Sequence, residues 1–149
     1  MIRKVLKGEP LPVYGDGLNV RDWLYVGDHC RGLALVLARG TPGDIYVMGG
    51  KCEMTNLDVV RAIIETVREL APGHVIKSAD ELIRFVKDRP GHDRRYAMDS
   101  AKIEGALGWR AAESFETGLR KTVQWYLDNE AWVRHIEDGT YRGERLGNI

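Results

Sequence analysis

Three arginines crowd one short segment, Asp88-Arg89-Pro90-Gly91-His92-Asp93-Arg94-Arg95-Tyr96, around the turn that Pro90-Gly91 announces. A guanidinium is planar, permanently charged and able to donate two parallel hydrogen bonds to phosphate or carboxylate oxygens, so this group suits an anionic ligand. It also follows an apolar run, Ile83 to Val86, and loops after strands often carry ligands. The alternative is a solvated ion-pair cluster in which Asp88 and Asp93 neutralise the arginines, an arrangement that contributes little to stability. The residues leave both open.

A second constellation lies in Val20-Arg21-Asp22-Trp23-Leu24-Tyr25-Val26, where a charge pair enters an aromatic stretch just after a glycine turn. Arg21 needs a partner there, either Asp22 or a phosphate. Asn56 stands at the head of a helical pattern, where it could serve a ligand oxygen or the helix cap.

Other chemistries find little support. His29, His74, His92 and His135 are scattered, and Cys30 and Cys52 form neither a CxxC nor a zinc-ligand pattern. The four tryptophans read as core, with Trp125 and Trp132 at helical spacing. Lys plus Arg balances Asp plus Glu at 22 each, which removes any global attraction to nucleic acid or an anionic membrane. The longest apolar stretch, Gly32 to Ala38, falls far short of the roughly 20 residues of a membrane span. No nucleic acid or membrane partner is expected, and the cysteine usage fits a reducing, cytoplasmic setting.

The elements that must position these residues follow from periodicity and punctuation. Met1 to Lys7 reads as the tail of a helix, Leu11 to Tyr14 as a strand, and Gly15-Asp16-Gly17 as a turn. Arg21 to Val26 reads as a strand, followed by a helix capped by Asp28 that runs to Arg39 and buries Leu33, Val36 and Leu37. Ile45 to Met48 is a further short strand. Thr55-Asn56-Leu57-Asp58 resembles a capping box opening a helix with Leu57, Val60, Ile64 and Val67 inward, which stops before Pro72. Ile83 to Val86 is a strand, Ser100 caps a short helix ending near Gly108, and Ser114 caps a helix with Leu119, Val123, Tyr126 and Leu127 inward. The tail from Gly139 reads as irregular. The expected class is α/β (α+β): one domain over residues 1–149, with few short strands, many helices and an incomplete Rossmann sheet.

Four segments, "PLPVYGDGLNVRDWLYVGDHCRGLALVL", "NLDVVRAI", "DRPGHDRRYAMDSAKI" and "LGWRAAESFETGLRKTVQWYLDN", resemble in order and spacing the carboxy-terminal part of dTDP-glucose 4,6-dehydratases, from about residue 1 to about residue 136. Those are NAD-dependent lyases of the extended short-chain dehydrogenase family. They oxidise C4 of the sugar, eliminate water across C5 and C6, and return the hydride to C6 on the way to deoxysugars such as rhamnose. Gly27 departs from the family's usual Glu and would loosen the start of the following helix.

The resemblance implies a substrate-binding lobe. Pro12, Val13 and Tyr14 would flank the base, Arg21 and Arg89 would contact the diphosphate, Asn56 would hydrogen-bond the ligand, and Asp88, Pro90, Gly91 and His92 would complete the loop. No catalytic residue is assigned, because the 149 residues contain neither the family's GxxGxxG turn nor a YxxxK pair; Tyr141 is followed at the fourth place by Arg145. An amino-terminal NAD-binding Rossmann domain is therefore expected to be absent, and NAD, the family's cofactor, is not expected on this chain alone. The expected partners are dTDP-glucose or a related sugar nucleotide, a separate Rossmann chain, and a second copy of this one. Two rival readings remain: a free-standing sugar-nucleotide-binding module or regulator, and an interaction domain with no ligand.

Overall fold

The computed structural model describes residues 1–74 and 76–138, with side chains to residue 136, so the expectations for the tail from Gly139 lie outside the described residues. The chain is mixed α/β, with α1 (Ile2–Leu6), β1 (Leu11–Tyr14), β2 (Val20–Asp22), α2 (Val26–Arg39), β3 (Glu53–Thr55), α3 (Asn56–Leu70), α4 (Ala79–Leu82), β4 (Ile83–Val86), α5 (Ala101–Leu107), α6 (Phe115–Asp128) and α7 (Glu130–Asp138).

The strands form two small sheets. β1 runs parallel to β4 in the register Leu11↔Ile83 to Tyr14↔Val86. β2 is antiparallel to β3, from Val20↔Thr55 to Asp22↔Glu53. Both strands of the parallel pair have the bounds that punctuation predicts. Gly8 and Pro10 precede β1 and Gly15 follows it, while α4 delivers the chain into β4 through a capping box between Ser78 and Glu81. Leu11 and Val13 alternate inward and Pro12 faces out, where its missing N–H does no harm.

The main core is built on α3. Thr55 accepts a hydrogen bond from the Asp58 N–H at 3.1 Å and donates to the Asp58 carboxylate at 2.6 Å, closing the expected cap with Asp in place of Glu. Val60, Ile64 and Val67 are buried as the period requires, joined by Val59 and Ile63, and the helix packs on α6 and α1. The Ser114 side chain accepts from the Thr117 N–H and opens α6, whose Val123 joins this core with Leu119, Tyr126 and Leu127 against it.

Several local expectations need correction. β2 stops at Asp22 instead of running to Val26, because Asp22 turns its carboxylate onto the Gly50 and Cys52 N–H groups and Tyr25 becomes the N-cap of α2. α2 begins at Val26, with Gly27 in its first turn. Asp28 is no cap: it lies inside the first turn, 1% exposed. The inward stripe of α2 is Asp28, Gly32, Leu35 and Val36, so Leu33 and Leu37 sit on the outer flank at 51% and 91% exposure. Gly32 permits the close approach, since a Cβ there would lie 2.2 Å from the Met48 sulfur. Ile45 to Met48 is not a strand; Ile45 is exposed, Met48 packs on the second core of Ile103, Leu107 and Trp109, and Gly49 N–H donates to the Ser100 hydroxyl at 2.9 Å. That bond also diverts Ser100 from capping α5. Trp125 and Trp132 stack edge to face at 5.2 Å on the surface and do not enter the core. Among the described residues no helix is long and apolar enough to cross a membrane.

Candidate functional site

Because β1 and β4 are parallel, their carboxy-terminal ends emerge at one edge, which brings the turn after Tyr14 against the loop after Val86. The Gly15 N–H donates to the Val86 carbonyl at 2.9 Å and extends the pairing by one bond. Gly15 has φ +57°, and a Cβ there would lie 2.8 Å from an Asp88 carboxylate oxygen, so both the turn and the neighbour require glycine.

Asp88 organises the loop. One carboxylate oxygen accepts the Arg89 N–H at 2.8 Å and lies 2.6 Å from His92 Nδ1, while Gly91 at φ +65° reverses the chain between them. The bond to His92, with the Arg89 N–H and the nearby Arg89 charge, holds the Asp88 carboxyl below the ordinary aspartate range, against the opposing effect of desolvation. The His92 side chain is only 4% exposed, and its ring meets Tyr14 edge-on at 6.3 Å. The Arg89 guanidinium lies over the same Tyr14 ring at 5.3 Å. Tyr14, Asp88, Arg89 and His92 thus form one cluster, with Pro90 and Gly91 exposed at its tip.

Arg21 joins it from β2. It donates to its neighbour's carbonyl, Val20 O, at 2.6 Å and to Asp93 O at 2.9 Å, with its guanidinium 4.3 Å from the centre of the Tyr96 ring. The Tyr96 hydroxyl bonds the Asp93 carboxylate, which pushes the phenol above its ordinary value despite the two nearby cations, Arg21 and Arg89. Asn56 is the first residue of α3, and Thr55 performs the cap. Its side-chain amide therefore makes no hydrogen bond among the described residues.

The charge pairing separates the arginines. Arg94 forks onto Asp16 at 2.9 and 3.0 Å, and Arg95 onto Glu53 at 2.6 and 2.8 Å. Arg21 and Arg89, the two singled out for a diphosphate, have no carboxylate partner among the described residues, and Asp22 is committed elsewhere. Ion pairing therefore accounts for Arg94 and Arg95, while Arg21 is held by two backbone carbonyls and the Tyr96 ring and Arg89 lies over Tyr14. Pro12 is exposed beside this edge, while the Val13 side chain is in the core, so Val13 can flank a ligand only through its backbone. The sequence reading passed over Tyr96 as a platform for Arg21 and over Asp16 and Glu53 as anchors. An aromatic after two arginines was a usable signal for the first, but nothing local signals the other two.

Among the described residues no cluster of His, Cys, Asp and Glu could hold a metal. β2 leads to α2 through Trp23-Leu24-Tyr25 and β3 runs directly into α3, so neither of these junctions carries a glycine-rich turn of the kind that admits a pyrophosphate.

This arrangement of short strands and helices superposes on part of solved extended short-chain dehydrogenases, epimerases and dehydratases among them. The dTDP-glucose 4,6-dehydratase of Bacillus anthracis, solved in complex with NAD, superposes with a TM-score of 0.75 at 44% identity over 88% of this chain and 39% of its own. That of Streptomyces venezuelae, solved with NAD and TYD bound, gives 0.77 at 44% identity over 88% and 38%. The chain belongs to the GDP-mannose 4,6 dehydratase family, whose model matches residues 1–122. Among curated relatives, the dTDP-glucose 4,6-dehydratase of Neisseria meningitidis serogroup B is 54% identical over 149 residues. That match takes in 99% of this chain but 42% of the relative, so the chain spans well under half the length of the enzymes it resembles.

Proposed function

We propose that this chain forms the sugar-nucleotide-binding face of a dTDP-glucose 4,6-dehydratase, with residues 1–149 acting as a substrate lobe. The observation that carries this reading is that Arg21 and Arg89 both lie near Tyr96 with neither in a salt bridge among the described residues, while Arg94 and Arg95 are each paired with a carboxylate. Two guanidinium groups without a salt bridge, Arg89 in the loop after the parallel pair and Arg21 on β2, suit a diphosphate. Pro12, Val13 and Tyr14 would lie along the base, the free Asn56 amide would meet a ligand oxygen, and Asp88, Pro90, Gly91 and His92 would fix the loop carrying Arg89. These residues bind and orient; none of them is placed to move a proton or hydride.

The solved relatives hold NAD, whereas the 149 residues here contain neither the GxxGxxG turn nor the YxxxK pair that the resemblance ties to it. The chain on its own is therefore expected to bind dTDP weakly and NAD not at all, because an open edge does not desolvate its ligand as a closed cleft does. Calorimetric titration with each compound tests this. Heat of binding with dTDP alone supports the reading, whereas binding of NAD, or formation of the 4-keto product from dTDP-glucose by this chain alone, would refute the division of labour.

We propose further that the outer flank of α2 and the segment around Ile45 are contact surfaces. Leu33, Leu37 and Ile45 are large apolar residues at 51%, 91% and 78% exposure. A Rossmann-type polypeptide would cover them when present, and a second copy otherwise. Light scattering of the purified chain at micromolar concentration is expected to show a species larger than 16.8 kDa; a clean monomer would overturn this.

A further inference from the structure

Asn19 sits between the turn after β1 and the start of β2, and it is 2% exposed. Its position joins the three segments that carry the candidate ligands. Its backbone carbonyl accepts the Asn56 N–H at 3.0 Å, tying it to the head of α3. Its side-chain Nδ2 donates to the Asp93 carbonyl at 3.2 Å, in the loop that carries Arg89. The same Asp93 carbonyl accepts from Arg21 at 2.9 Å, and Val20, the residue between them, accepts from Tyr96 N–H at 3.1 Å and donates to the Arg94 carbonyl at 2.8 Å.

The other end of the amide gives a second observation. Asn19 Oδ1 is buried and has no hydrogen-bond partner among the described residues. A buried acceptor without a donor is destabilising, and an apolar residue of similar size would avoid it. The amide is thus retained for its donor, and the acceptor of that donor is the carbonyl that Arg21 grips.

We propose that Asn19 is a positioning residue for nucleotide binding: by holding the Asp93 carbonyl it fixes where the Arg21 guanidinium lies relative to Asn56 and the Arg89 loop. The inference rests on the sugar-nucleotide reading above, since it concerns how the same edge meets a diphosphate. It assigns Asn19 no contact with the ligand; its effect passes through Arg21.

That route makes the effects of the two residues non-additive, which a general loss of stability would not produce. The test is dTDP affinity by calorimetry for the wild type, Asn19→Ala, Arg21→Ala and the double variant. One neutral hydrogen bond corresponds to roughly a fivefold change, so Asn19→Ala is expected to weaken binding about fivefold when Arg21 is present and less than twofold when it is not. Equal losses in both backgrounds would overturn the inference and leave the nucleotide reading standing. Absence of wild-type binding would overturn both. If Asn19→Ala fails to fold, Asn19→Asp preserves size but sets a carboxylate against the Asp93 carbonyl and beside Arg21. Its binding is expected to fall by more than fivefold, and unchanged affinity would equally refute the proposal.

Discussion

Arg21→Ala and Arg89→Ala are each expected to weaken dTDP binding by about 10- to 150-fold, the equivalent of one charge-assisted hydrogen bond of roughly 1.5 to 3 kcal/mol. Arg94→Ala and Arg95→Ala supply the contrast. Their guanidinium groups are already committed to Asp16 and Glu53, so their loss should change affinity far less. Arg89→Lys is expected to fall on the weak side as well, because an ammonium cannot present the planar fork or lie over Tyr14 in the same way. Calorimetry on the wild type and these five variants separates the pairs. Similar losses from all four alanine variants would indicate a diffuse positive field, and no loss from any would leave the arginines as surface charge.

The second large effect concerns stability and lies away from the site. Asp28 is buried in the first turn of α2, where its carboxylate accepts from the Ala112 and Glu113 N–H groups at 2.9 Å each and from Arg31 at 2.6 Å. Arg31 in turn donates to the Arg110 carbonyl at 2.9 Å, and the Asp28 carbonyl accepts from the Trp109 indole at 3.1 Å. This knot fastens α2 to the segment that feeds α6. Asp28→Ala strands two backbone donors and is expected to destabilise the fold by about 2 to 4 kcal/mol, read as a lower midpoint in urea. Burial raises the Asp28 carboxyl pKa, but the Glu113 N–H, Arg31 and the Ala112 N–H outweigh it and hold the group below its ordinary 3.8. Its contribution is therefore complete above that value and is lost as pH falls through the lowered one. Acid unfolding is expected to begin earlier in Asp28→Asn than in the wild type; coincident acid transitions would show that the knot carries no such linkage.

What the sequence reveals depends on range. β1, β4 and α3 are legible because glycine, proline and capping residues bound them within a few positions. The inward stripe of α2 is not, since Leu33 and Leu37 fit a buried face as well as Leu35 and Val36 do. Choosing between them takes the Met48 and Trp109 contacts at Gly32, which come from elsewhere in the chain. Ile45 to Met48 looks like a strand but finds no partner to pair with. The candidate residues come from resemblance, and the sequence alone could not divide the arginines. Arg94 meets an aspartate 78 positions away, whereas the nearer Asp22 ignores Arg21 for the backbone of Gly50 and Cys52.

The most direct test of the binding face is a residue-resolved amide NMR titration of the chain with dTDP. The account predicts saturable shifts at Gly15, Arg21, Asn56 and Arg89 through Asp93. A cleft away from this edge, lined by Arg3, Lys7, His74, Tyr126, Glu130 and Arg134, gives the measurement a built-in control. Shifts confined to that cleft, or none at either place, would contradict the assignment.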